Sequence, residues 1–212
     1  MTSDPSSTFV EDLSHRLRQA TFDAVLGSAM VADDSVALTV PRATETLGPA
    51  RLAQAHPAGA AREQAVALYQ RCLQHYRQAV RPQDSARGFD DVGAAAAHFV
   101  AANLSALSGQ QPTAAELLQL ERQLRRVVQT SLAWGELPAA DRQAYVEQLA
   151  LLAVLVGEAA VQAPSQGPAA VANVERAARS YLQQLLGLNP DGLALGPKGL
   201  MVRETIASSR AA

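Results

Sequence analysis

The sequence predicts an all-α protein: a compact antiparallel bundle of five helices, preceded by one further helix and an irregular arm. Three observations carry that prediction. Hydrophobic residues make up 48 % of the 212-residue chain but aromatics only 4 %, and a core supplied mainly by alanine and leucine suits closely packed helices better than sheets. From residue 60 onward the apolar positions recur every three or four residues, the spacing of one face of a helix. Between those stretches stand Ser, Thr or Asp caps and glycine or proline stops, the chemistry that begins and ends helices. A chain of this length supports one ordinary core more readily than two.

Thr8 followed by Glu11 is a capping-box pair, and Phe9, Leu13 and Leu17 share a stripe, so a first helix is expected from about Thr8 to Leu26. Periodicity then disappears from Gly27 to Gly59, where Pro41, Pro49 and Pro57 interrupt any helix. Ser35 to Val40 is the one strand-like run. Residues 1–59 are therefore expected to form a helix and an irregular arm, 60–200 the bundle domain, and 201–212 a flexible tail.

Val66, Tyr69, Leu73, Tyr76 and Val80 define the first bundle helix, from Ala60 to Val80, which must end before Pro82. Asp90 or Asp91 can cap the next, whose stripe of Val92, Ala95, Ala96, Phe99, Ala102 and Ala106 is small enough to admit a neighbouring backbone. Ser108-Gly109 stops it. Thr113 and Glu116 form a second capping box before Leu117, Leu120, Leu124, Val127 and Val128, and that helix is expected to reach about Ala133. Pro138 suits a first turn, and the segment to about Gln162 is apolar nearly all round. It is the expected central, most buried helix. A last helix from Pro168 presents Val171, Val174, Ala178, Tyr181 and Leu185 and meets Gly187.

Residues 51–200 resemble an uncharacterised all-helical domain family of exported proteobacterial proteins. The resemblance rests on HPAGAAREQAVALYQ, FDDVGAAAAHFVAANL, LPAADRQAYVEQLALLAVLV and LGLNPDGLALGPKGL, in that order. Where such proteins often carry a tryptophan, this chain has Phe99 and Leu104. The resemblance implies an envelope or secreted location and brings no catalytic residues with it.

The bulk properties exclude several roles. A formal charge of -2 and a pI near 6.1 give no positive field for a nucleic-acid backbone. The most intensely apolar run, Leu149 to Val156, falls short of the roughly 20 residues a spanning helix needs, so no transmembrane segment is expected. Met1 to Pro5 lacks the features of a signal peptide. The expected location is periplasmic or secreted if a signal was removed, and otherwise cytoplasmic.

Each constellation with chemical interest has a plainer reading beside it. Cys72 and His75, three apart on a helix, could form a histidine-activated thiolate, but Cys72 borders the apolar stripe, where a free cysteine usually packs. Asp90, Asp91 and His98 could be paired carboxylates with a base, but carboxylates at a helix start ordinarily satisfy free N–H groups. Arg122, Arg125 and Arg126, continued by Gln129, form a basic patch that could meet an acidic partner, though Glu116 and Glu121 dilute it. Gly196-Pro197-Lys198-Gly199 precedes no helix and lacks phosphate-loop spacing. It reads as a turn returning Leu200 to the core. No cofactor or metal is expected. The expected function is a non-catalytic binding protein of the bacterial envelope or secreted fraction with a protein partner. The alternatives are a hydrolase or thiol-dependent enzyme using Cys72 and His75, and a small-molecule carrier with a cavity inside the bundle.

Overall fold

The computed structural model describes residues 12, 15, 37–42, 45–82, 84 and 88–202. Among them the fold is mostly helical, as expected. Its elements are β1 (Thr39–Pro41), α1 (Gly48–Ala53), α2 (Ala60–His75) with a π turn at Tyr76–Val80, β2 (Phe89–Asp91), α3 (Val92–Ser108) and α4 (Ala114–Gln129). They continue with α5 (Leu132–Glu136), α6 (Ala139–Gln166), α7 (Pro168–Leu186), β3 (Leu193–Gly196) and β4 (Gly199–Val202). The helix expected from Thr8 to Leu26 lies outside the described residues apart from Asp12 and His15. The tail beyond residue 202 lies outside them too.

Helix α3 is the centre of the bundle, packed on α4, α6 and α7. Twelve of its 17 residues are buried, against ten of 28 in α6, so the expected ranking of the two is reversed. The reason is side-chain size: Ala94, Ala95, Ala96, Ala97 and Ala101 let neighbours close in on every side, while the larger residues of α6 leave one flank outside. Helix α6 is nonetheless long and apolar enough to cross a membrane, with a window of mean hydropathy 1.6. Its apolar positions pack on α1, α2, α3 and α7, which accounts for them as core.

Caps mark the boundaries that the sequence indicates. Asp91 accepts from the Ala94 N–H at 2.8 Å, and Thr113 and Glu116 close a reciprocal capping box, whose hydrogen bonds pull the Glu116 carboxyl below its ordinary range. Gly109 and Gly187 end α3 and α7 in the left-handed conformation, which glycine adopts without steric penalty. The helix expected to continue to Ala133 instead breaks after Gln129. Thr130 turns its hydroxyl back to the Val127 carbonyl at 2.9 Å, and Ser131 caps α5 by accepting from the Trp134 N–H at 3.1 Å.

The larger correction concerns the arm. Strand β1 pairs antiparallel with β2, Val40 opposite Asp90, and α1 packs on α2 and α6. Val40 and Ala53 are buried, and the fully buried Trp134 donates its indole N–H to the Ala37 carbonyl at 2.9 Å. Residues on both sides of position 60 therefore pack together. Pro41 did not prevent a strand because β1 is a single-partner strand with a free edge. Pro49 occupies the first turn of α1 rather than breaking it. At the other end, β3 and β4 form a hairpin that exposes Lys198 and buries Leu200 completely, the expected hook.

Candidate functional site

Strand β2 organises the polar chemistry of this molecule. Successive strand residues face opposite ways, so Asp90 and Asp91, although adjacent and both buried, serve different clusters. Asp90 receives Arg42 at 2.7 Å and also the guanidinium of Arg77. Arg77 reaches on to Glu147 at 3.0 Å. Burial opposes the charge of Arg77, but its hydrogen bonds and attraction to Asp90 and Glu147 outweigh that and raise its pKa.

Glu147 had no place among the expected polar residues, because α6 reads as apolar around it. It is fully buried. It accepts from the Leu47 and Gly48 N–H groups at 2.7 and 2.8 Å, from Arg77 at 3.0 Å and from Gln143 at 3.1 Å. One carboxylate thus satisfies the free N–H groups that open α1 and ties them to α2. The only sequence signal was the lone acid at that depth in an apolar helix, which must find a partner if buried.

On the other face, Asp91 receives Arg125 at 3.0 Å. Glu121 holds Arg125 at 2.8 Å and Arg81 at 3.1 Å, and Asp84 holds Arg81 at 2.7 Å. This second cluster forms one wall of an open groove between β1, β2 and α4, lined also by Leu38, Phe89, Leu118, Arg122, Arg126 and Gln129. The basic patch expected on α4 therefore divides. Arg125 is turned inward and paired, whereas Arg122 and Arg126 are exposed, one turn apart, and pair with no described residue. Beside them Leu118 is 46 % exposed.

The other expected constellations are not assembled. Asp90 and Asp91 face opposite sides and are each clamped by arginine, and neither touches His98. His98 instead meets the ring of Tyr76 edge-on at 5.6 Å and 87°. Cys72 is buried and free, and burial raises its thiol pKa, the reverse of what a nucleophile needs. His75 is exposed and makes no hydrogen bond to it among the described residues. No group of three metal-ligating side chains occurs among the described residues.

The fold and its polar framework define a helical domain held by two buried ionic clusters and open at one mixed basic and apolar groove. The chain belongs to a family of unknown function, DUF6683, whose model matches residues 13–203. That match extends the resemblance of residues 51–200 into the amino-terminal segment, in keeping with the packing of β1 and α1. Neither a curated protein nor a solved structure matches the chain.

Proposed function

We propose that this is a non-catalytic binding protein that docks an acidic protein partner, in the bacterial envelope or the secreted fraction, through the groove on α4. The observation that carries the reading is the division of the α4 arginines. On α4, Arg125 is neutralised by Asp91 and Glu121, and Arg81 after the π turn by Asp84 and Glu121, which fixes the wall, while Arg122 and Arg126 pair with no described residue and can meet carboxylates. The apolar surface of Leu38, Phe89 and Leu118 in the same groove supplies the area that charge alone does not. The reading of Cys72 and His75 as a catalytic pair gains no support from a buried, protonated thiol without a base.

A photo-crosslinking residue placed at Leu118 tests this in an envelope extract. A discrete adduct is expected that weakens as salt rises and disappears in an Arg122→Glu/Arg126→Glu variant of unchanged circular dichroism. Adducts that persist in the charge-reversed variant, or none at all in the parent, count against the reading.

A further inference from the structure

The closing hairpin has two edges, and only one of them is satisfied. Pro197 and Lys198 form its two-residue turn, with Gly196 opposite Gly199 as the first pair of the ladder. In such a turn the first pair is the hydrogen-bonded one, and bonded and non-bonded pairs alternate along an antiparallel ladder. Leu195 and Leu200 are therefore a non-bonded pair, and their N–H and C=O groups point out of the hairpin at its two edges. On the β4 edge the Gln123 side chain of α4 accepts from the Leu200 N–H at 2.7 Å and donates to the Leu200 carbonyl at 3.2 Å. On the β3 edge the Leu195 N–H and C=O have no partner among the described residues, and neither has the Leu193 C=O.

That open edge borders a concavity. Leu193, Ala194 and Leu195 line a groove of about 340 Å³ together with Leu104 and Leu107 near the end of α3. Its rim is polar, running from Ser108, Gln110 and Gln111 to three charged residues, Glu116, Arg179 and Asp191. Arg179 is already committed to Asp191 at 3.2 Å and to Glu175 at 3.7 Å. Glu116 has no cationic partner among the described residues, so carboxylate charge is in excess around the groove. Side chains alternate along a strand. A strand added to β3 would turn every second residue to the side of Leu193 and the fully buried Leu200, onto Leu104 and Leu107, and the others to the acidic rim. A second copy of the chain would have to bring its own β3, equally recessed beside α3, to the ~4.8 Å spacing of paired strands. A single extended segment meets no such obstruction.

We propose that the β3 edge binds an extended basic peptide, a strand in which apolar residues alternate with Lys or Arg. Its backbone pairs with Leu193 and Leu195, its apolar side chains lie on Leu104 and Leu107, and its cations meet Glu116 and Asp191. Main-chain pairing then supplies affinity and the alternate side chains supply specificity, as in other cases of strand addition. The site is separate from the α4 groove, takes charge of the opposite sign, and stands whether or not a protein docks there.

Fluorescence anisotropy of the full chain with a labelled seven-residue peptide of alternating valine and lysine tests it. Saturable one-site binding is expected, weakened about tenfold, the equivalent of one good hydrogen bond, in Leu195→Pro. Proline is accepted on an edge whose N–H faces outward, and Leu195→Val, which keeps both backbone groups, is expected to bind as the parent does. Asp191→Lys, at an exposed position, should weaken binding and flatten its dependence on salt. An N-methylated peptide and one with glutamate for lysine are expected not to bind. Should Leu195→Pro fail to fold, the N-methylated peptide still reads the backbone pairing from the other side. Absence of saturable binding to the parent, or equal binding of the N-methylated peptide, overturns the proposal. So does a dimer in sedimentation that Leu195→Pro dissolves, for the edge would then belong to a second copy.

Discussion

Cys72 shows how one residue's environment decides between chemistry and packing. Its position three residues before His75 is suggestive in sequence, but the helix turns the thiol into the core and leaves the imidazole in solvent. A thiol whose pKa is raised by burial presents little thiolate near neutral pH. Ellman's reagent in excess should therefore leave Cys72 unmodified in the native protein and react fully once urea unfolds it. Rapid stoichiometric reaction before unfolding would contradict the burial described. Gly48 is decided by contact in the same way: a Cβ there would stand 2.6 Å from the Glu147 Cβ and 3.0 Å from the Ala144 carbonyl. Neither of those atoms is a flexible chain end, so α1 can approach α6 only with glycine at its start.

Among the elements, the helices with strong caps and a clear apolar face were legible in the sequence. Thr113, Asp91, Gly109 and Gly187 each act through local hydrogen bonds or backbone conformation, which neighbouring residues suffice to specify. Strand β1 showed only as the end of the strand-like run Ser35 to Val40, without its partner, and helix α1 did not show, because their partners are remote: Asp90 lies 50 residues beyond Val40, and Glu147 lies 99 beyond Gly48. Three residues of strand and six of helix carry too little periodicity to show themselves alone. The groove was half legible, since helical spacing grouped Arg122, Arg125 and Arg126 but could not tell which would turn inward. Glu147→Ala tests how strongly the arm is joined to the bundle. Removing this carboxylate strips Arg77 of one partner and leaves the α1 N–H groups without an acceptor. A loss of about 3–5 kcal/mol in urea unfolding is expected, the range for breaking a buried ion pair. A loss below about 1 kcal/mol, typical of an exposed pair, would show that the cluster does not hold α1 in place.

For the whole molecule, charge is distributed in an unusual way: a surface of nearly balanced sign encloses carboxylates and guanidinium groups between β1, β2, α1, α4 and α6. Apolar packing alone would let the helices of an alanine-rich core slide past one another, since small side chains interlock weakly. The ionic clusters select one register, because a shifted helix would strand a buried charge. His98 adds a pH dependence to that arrangement. It sits in α3 against Tyr76 on the π turn, and the charges that act on it are Arg81 and Asp84. Its pKa is about 4 in the folded chain, down from 6.5. Above pH 6.5 the ring is neutral both folded and unfolded, so it makes stability no steeper with pH. Between pH 6.5 and 4 the unfolded chain takes up a proton that the native state refuses, and stability falls with acidification. Below pH 4 both states are protonated and the accumulated loss levels off, on the order of 3 kcal/mol. Because the carboxylates titrate as well, the contribution of His98 is read as a difference. Urea unfolding at pH 7 and pH 5 should show the parent losing about 2 kcal/mol more than His98→Gln over that interval. Equal losses in the two proteins would mean that His98 is free to charge in the native state.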